Sequence, residues 1–397
     1  MKITIVMGFF LPVPPEAGGA TEKSWHRLAH ALADRGHEVT VVARCWPGQP
    51  DREQQQGVRY LRLPGFDHRR KLWQNLLLDL RWSLRVHRHL PPADITVVHA
   101  VTLPAWLGRL RRSAGRVVVM PGRMPKGQYR WYGRLARVVA TSTVVRDRVL
   151  QENPRLEGLT RVFGYPIDWT SLAQAPLPRP SKPPVTLAFA GRLHPEKGLD
   201  LLVEAIVRLQ SDQTLPDWRL LLCGPVEVSA GGGGPEYRAR LERRLRAAVP
   251  EPRWKFLRPI FDEHALAAFY GSADLFCYPS LAAQGETFGV AVAEAMAAGA
   301  VPVVSDLACF RDFVRAGVNG LVFSHEAPDA AAQLSGALAG LLREPARRHQ
   351  LAAAAREEVS RFDFGRYAEA LLADFAQLAA PGSGLPPVGD RVNPPQR

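Results

Sequence analysis

Short runs of β-branched and aliphatic residues alternate along the chain with longer segments whose apolar positions recur at helical spacing. In the first half the runs are KITIVM (2–7), EVTVVA (38–43), VRYLRL (58–63), DITVVH (94–99), RVVVM (116–120) and RVVAT (137–141). The segment after the first run, GGATEKSWHRLAHALADRGH, sets Trp25, Leu28, Ala29, Leu32 and Ala33 at helical spacing and stops at Gly36. Strand, amphipathic helix and strand make a βαβ unit, and its repetition predicts α/β architecture with parallel sheets and crossover helices. APLPRPSKPP (175–184) then breaks the pattern. Proline has no amide proton for a helix or a central strand, so this stretch reads as a semi-rigid linker. The pattern restarts with PVTLAFAG (184–191), a helix over 198–210, RLLLCG (219–224), WKFL (254–257), ADLFCYP (273–279) and VPVVS (301–305), and closes with helical segments at 329–342 and 361–379. The Pro- and Gly-rich tail 381–397 reads as disordered.

Two doubly wound domains in tandem is the economical architecture, and 397 residues suffice for both cores. Such sheets bind ligands at the carboxyl ends of their strands, here expected in the cleft between the domains. The four cysteines, Cys45, Cys223, Cys277 and Cys309, form no CxxC pair, which argues against a zinc site and a disulfide framework and for a reducing cytoplasm. MKITIVMGFFLPVPP has the lysine and apolar run of a signal peptide without a small-residue cleavage site, so it reads as a first buried strand. No uncharged apolar stretch reaches the ~18 residues of a membrane span, so any membrane contact is peripheral.

The net charge of +13 is unevenly spread: residues 1–170 hold 27 Lys+Arg against 13 Asp+Glu, and the remainder 24 against 25. An anionic partner met by the first half accounts for the asymmetry; an arginine-rich solvated surface is the bland alternative.

Each domain opens with a strand running into a loop. The first loop, GFFLPVPPEAGGA (8–20), ends in Gly18-Gly19 ahead of a helix, where backbone can approach an anion closely or simply turn. The second, AGRLHPEKGLD (190–200), places Arg192 at a strand end and Lys197 just before a helix, two cations that can clamp a diphosphate or lie solvated. GETFGVAVAEAMAAG (285–299) sets Glu286 in a loop and Glu294 in a helix expected to be buried among Ala, Val and Met. A carboxylate so placed is expensive without hydrogen bonds, which the vicinal hydroxyls of a ribose would supply; a structural salt bridge or a helix cap is the alternative for either glutamate alone.

In this order and spacing, Glu286-x7-Glu294 with AMAAGAVPVVSD, GRLHPEKGLDLLVEAI (191–206), GGATEKSWHRLAHALADRGHEVTVV (18–42) and VNGLVF (318–323) resemble the GT-B retaining glycosyltransferases of family 4 over nearly the whole chain. The resemblance implies two Rossmann-like domains facing a central cleft: an acceptor-side domain over 1–170, a linker over 171–184, a nucleotide-sugar domain over 185–360, and a C-terminal helix over 361–380 crossing back to the first domain. It implies that Glu286 contacts the donor sugar, that Glu294 holds the ribose, and that Arg192 and Lys197 hold the pyrophosphate. Gly18, Gly19, Thr287, Phe288 and Gly289 complete the donor site. No metal and no cofactor are expected beyond a UDP- or GDP-sugar as co-substrate, in keeping with the lack of any Asp-x-Asp. Two positions depart from the pattern. Pro121-Gly122 stands where many relatives carry a histidine, leaving His99 and Arg123 as acceptor-side candidates, and Gly164-Tyr165 replaces an Asn-Gly before the domain junction.

HRRKLWQNLLLDLRWSLRVHRH (68–89) sets Trp73, Leu77, Leu80 and Leu84 on one stripe and Arg81, Arg85 and Arg88 on another. The leucines are expected to pack on the sheet, leaving the arginines for lipid head groups or a phosphorylated glycan. The insert 223–247, with glycines at 231–234, reads either as a mobile cover or as a floppy loop. The expected protein is a cytoplasmic sugar transferase, at the inner face of the membrane if peripheral, acting on a lipid-linked or envelope glycan. A GT-B nucleotide-sugar epimerase and a basic nucleic-acid-binding protein are the rival readings, the last without any reading helix or stacking motif.

Overall fold

The computed structural model describes residues 1–16, 19–174 and 184–380, so Gly18, most of the proline-rich stretch and the tail 381–397 lie outside the described residues. Two compact units form: Met1–Pro166 together with the segment from Phe364 onward, and Ile167–Asp363. The first boundary therefore falls before 170. Ile167 pairs with Asp363, Asp168 caps the short Trp169–Leu172 helix, and Trp169 Nε1 donates to the Arg356 carbonyl at 3.0 Å, so all of these belong to the second unit.

The strands of the first unit are β1 (Lys2–Val6), β2 (Glu38–Arg44), β3 (Arg52–Gln55), β4 (Val58–Leu63), β5 (Ile95–Val98), β6 (Arg116–Val119), β7 (Arg137–Ala140) and β8 (Thr160–Val162). They lie in the order β3-β4-β2-β1-β5-β6-β7-β8, parallel except for β3. The antiparallel β3 was not anticipated, because REQQ carries no apolar alternation. A two-residue turn sets it there, with Gln56 at φ 44° and Gly57 at φ 80°, the backbone that a tight hairpin needs. Trp25, Leu28, Ala29 and Leu32 of the Ala20–Ala33 helix share a core with Tyr367, Ala368, Leu371, Phe375 and Leu378 of the Phe364–Ala379 helix. That late helix is further fixed by a buried ion pair, Arg137 Nε to Asp374 Oδ2 at 2.8 Å.

The second unit has β9 (Val185–Ala190), β10 (Trp218–Cys223), β11 (Trp254–Leu257), β12 (Leu275–Tyr278), β13 (Val301–Ser305) and β14 (Leu321–Phe323), all parallel in the order β11-β10-β9-β12-β13-β14. Strand order reverses between β9 and β12. The carboxyl ends of those two strands thus flank the crevice where doubly wound sheets take their ligands. Helices Glu263–Ser272 and Pro345–Val359, which the apolar pattern does not single out, complete the layers.

Replacing Asp374 by Ala leaves Arg137 buried without its counter-ion, and a loss of about 3 kcal/mol in folding stability is expected from urea denaturation.

Candidate functional site

β9 runs into Gly191, whose carbonyl lies so close to Gly224 after β10 that a Cβ on Gly224 would stand 1.8 Å from it. The chain then turns through Arg192 to the Pro195–Lys197 turn, and Gly198 follows at φ 69°. A Cβ there would meet the Pro279 carbonyl at 1.9 Å, so the backbone of this loop rests directly on the end of β12. Leu281 N donates to the Glu196 carbonyl at 2.8 Å, a second tie between the loops after β9 and β12.

That closeness brings Lys197 and Glu286 together. They are 7% and 9% exposed, and Nζ donates to Oε2 at 2.6 Å. Ser280 Oγ donates to the same Oε2 at 3.0 Å, the Tyr278 hydroxyl lies 3.5 Å from it, and the Lys197 ammonium stands over the Tyr278 ring, 5.4 Å from its centroid. Burial, and then the charge of Glu286, push the Tyr278 hydroxyl far above its ordinary titration range, so it stays protonated. Ser280 is itself fixed through its carbonyl, which accepts from Ser305 Oγ at 2.6 Å.

Glu294 sits in the second turn of the Val290–Ala297 helix, as its spacing predicts, but it is the less buried of the two glutamates. Glu294, expected to be buried, is only half-buried, while its neighbours Ala293 and Ala295 take the core-facing positions; Glu286, in its loop, is the enclosed one. The Tyr270 hydroxyl donates to Glu294 Oε2 at 3.0 Å, and burial with the Glu294 charge holds that phenol protonated. Ser280, Tyr278 and Tyr270 were not singled out from sequence. Ser280 directly follows the strand run ending in Tyr278-Pro279, six positions before Glu286, which is the signal that a polar residue closing an apolar strand beside an acid offers.

The other predicted donor residues divide. Arg192 is exposed; Nη1 donates to the Gly231 carbonyl at 2.9 Å and Nη2 pairs with Glu196. Gly289, at φ 94°, precedes the Val290–Ala297 helix against the Phe310 ring. Phe288 is a core residue, packed on Phe313 and Phe362 with centroids 4.8 and 5.0 Å away. Thr287, between Glu286 and Phe288 in the chain, is half-buried. The glycine insert is ordered by its own backbone: Gly232 N to the Glu227 carbonyl, Gly233 N to Leu193 and Gly234 N to Val226, at 2.8–2.9 Å. Among the described residues no group of three or more His, Cys, Asp or Glu side chains is placed to hold a metal ion, and all four cysteines are free thiols.

In the first unit, His99 follows β5 and meets the Trp25 ring edge-on at 4.9 Å. Its Nε2 is buried without a hydrogen-bond partner, and burial lowers its pKa to about 3, so the ring is neutral. Arg123, beyond β6, is exposed and its charge opposes the rise that burial imposes on the Glu22 carboxyl near Gly19.

The Leu72–His89 helix overturns the expected packing of its leucines. Its buried positions are Asp79, Trp82, Ser83 and Val86. Asp79 accepts from Val101 N, Thr102 N and Thr102 Oγ1, Ser83 Oγ bonds Thr102 Oγ1, and Trp82 Nε1 donates to the Met7 carbonyl. With that polar stripe satisfied inward, the leucine stripe faces outward: Trp73 is 58% and Leu77 51% exposed, and Leu72, Leu76, Leu80 and Leu84 are exposed as well. Arg69, Trp73, Gln74, Leu77, Leu78 and Arg81 line a shallow depression on this face. Arg81 and Arg88 are exposed as expected, whereas Arg85 is turned back onto the Pro64 carbonyl and the Phe66 ring. Among the described residues no helix is long and apolar enough to cross a membrane.

Two family models match: glycosyl transferases group 1 over residues 173–358, and a glycosyl transferase 4-like domain over 19–157. The chain is 29% identical to a phosphatidyl-myo-inositol mannosyltransferase of Mycobacterium leprae, across 96% of this chain and 98% of that one. It is 28% identical to a D-inositol 3-phosphate glycosyltransferase of Xylanimonas cellulosilytica, across 88% and 89%. In fold it is similar to the sucrose-phosphate synthase of Thermosynechococcus elongatus, with a TM-score of 0.73 at 22% identity over 95% of this chain and 98% of that one. The pair of parallel-sheet α/β units is the GT-B architecture.

Gly198→Ala forces a side chain into the left-handed region and into the Pro279 carbonyl. A stability loss of more than about 1 kcal/mol is expected by thermal or urea melting, because the loop carrying Lys197 has to lift off β12.

Proposed function

The chain belongs to the group 1 glycosyl transferases, and on that footing we propose that it transfers a sugar from a nucleotide-diphosphate sugar to a lipid-linked or cell-envelope acceptor. One observation carries the reading: cations and carboxylates, Arg192, Lys197 and Glu286, meet at the carboxyl ends of β9 and β12, where strand order reverses, with Glu294 on the helix that follows. In this reading Arg192 and Lys197 hold the diphosphate, Glu294 holds the ribose hydroxyls, and Glu286 meets the sugar. Thr287, Phe288 and Gly289 supply backbone at the start of the Val290–Ala297 helix, whose N-terminus favours the diphosphate. Gly19 opens the corresponding helix of the first unit.

The chemistry then needs no metal and no covalent enzyme intermediate. The bond from the anomeric carbon to the β-phosphate oxygen breaks, its electron pair stays on the phosphate, and Arg192 and Lys197 stabilise the charge that develops there. The acceptor hydroxyl forms its bond to the anomeric carbon from the same face and gives its proton to the departing phosphate oxygen. Configuration is retained, with Glu286 orienting the sugar throughout.

The acceptor falls to the first unit, with its excess of Lys and Arg. The two relatives are named for inositol compounds that carry phosphate, and an anionic acceptor suits that basic unit. His99 and Arg123, near the carboxyl ends of β5 and β6, stand on its acceptor side. The outward leucine stripe of the Leu72–His89 helix, flanked by Arg69, Arg70, Lys71, Arg81 and Arg88, fits an anionic bilayer: apolar side chains enter the acyl boundary while the cations meet head groups. We place the enzyme there, peripherally, at the cytoplasmic leaflet.

Glu294→Ala is expected to weaken UDP or GDP binding about tenfold in calorimetry, and Glu286→Ala to lower kcat about a hundredfold; wild-type turnover in both would refute the assignment. Donor incubated without acceptor should keep its sugar configuration, whereas its conversion marks an epimerase. Trp73→Ser with Leu77→Ser should reduce cosedimentation with phosphatidylglycerol vesicles without changing the melting temperature; undiminished binding removes the bilayer from the reading.

A further inference from the structure

Both cations of the second-unit site already have carboxylates of their own. Arg192 is matched by Glu196, and Lys197 by Glu286. The second pair is the more consequential, because Lys197 and Glu286 are enclosed and their contact at 2.6 Å is short even for a charge-assisted bond. The contacts on the Glu286 carboxylate are also lopsided. Lys197 Nζ, Ser280 Oγ and the Tyr278 hydroxyl all converge on Oε2, and Oε1 meets no donor among the described residues.

A diphosphate that uses Lys197 draws on an ammonium that Glu286 already neutralises, so the carboxylate and the phosphate oxygens compete for one positive charge. We propose that Glu286 is an internal competitor for Lys197: it holds the ammonium in the empty site, yields it to the diphosphate of the donor, and reclaims it as the nucleoside diphosphate leaves. Glu286 thereby sets the affinity of the site for its own leaving group, a role beyond contacting the sugar. Ser280 is the positioning residue of the arrangement. Its hydroxyl holds Oε2 in place when the lysine turns away, and its own carbonyl is pinned by Ser305, so the vacant Oε1 keeps its direction.

This inference rests on the donor reading of the site, and the experiment separates the two. Binding of UDP, GDP and ADP, none of which carries a sugar, is measured by calorimetry on the full chain for wild type, Glu286→Gln, Ser280→Ala and Lys197→Met. Glu286→Gln keeps the shape of the side chain but cannot neutralise Lys197, so it should bind the preferred nucleotide roughly tenfold more tightly than wild type, while sugar transfer falls. Ser280→Ala should leave nucleotide affinity within about twofold of wild type and lower kcat with KM little changed. Lys197→Met should lose the tightening when combined with Glu286→Gln. Should Glu286→Gln melt below the assay temperature, Glu286→Asp, which draws the carboxylate back by one methylene, is read in the same way. Equal or weaker nucleotide binding by the Glu286 variants overturns the competitor role and leaves the donor site standing. Absence of binding of all three nucleotides to wild type and variants alike overturns the donor reading itself.

Discussion

A carboxylate with nine-tenths of its surface hidden is tolerated only beside a countercharge and hydrogen-bond donors. Glu286 has both, in Lys197 and Ser280, and much of the second unit's local construction follows from the need to bring them together. Lys197 reaches Glu286 because Gly198 lets the loop after β9 lie on the Pro279 carbonyl, and because Leu281 bonds the Glu196 carbonyl from the other side. Ser280 is in register because β12 pairs with both β9 and β13, and Ser305 at the end of β13 holds its carbonyl. A charge pair between two loops is thus secured by backbone contacts among three strand ends.

The arrangement of strands was legible in the sequence wherever a buried parallel strand imposes a continuous apolar run, as in KITIV, VTLAFA and VPVVS. It was not legible where position in the sheet is set by something else. REQQ is an edge strand because a tight turn folds it back on β4, and Leu321–Phe323 is too short to stand out. Residue type and spacing singled out Arg192, Lys197, Glu286 and Glu294 as candidates, and the fold sets them around the ends of β9 and β12. Their degree of enclosure was not legible. Apolar neighbours in sequence suggested that Glu294 was the hidden acid, yet neighbours along a helix point in different directions, and its own position is only half-buried. Tyr270 and Ser280 were invisible as site residues because a tyrosine in a helix and a serine after a strand are read first as packing and as punctuation.

The Leu72–His89 helix shows the same limit from another side. Hydrophobic spacing offered two stripes, and the more apolar one was the natural choice for the core. The fold instead buries an aspartate, a serine, a tryptophan and a valine, because the Val101–Thr102 turn presents donors that Asp79 can accept. Burial pushes the Asp79 carboxyl upward against those bonds. The polar side of this helix is specified by hydrogen bonds, and its apolar side is left exposed.

Because the first unit draws its core from both Met1–Pro166 and the Phe364–Ala379 helix, the second unit is an insertion within it, entered and left at Ile167 and Asp363, which pair as neighbours. On the ribosome this reverses the usual order in which domains mature. The inserted unit has all its strands in hand while the enclosing one still lacks the helix that covers Trp25 and Leu28, so the enclosing unit is finished last, and a chain cut short before residue 364 leaves those core residues without their cover.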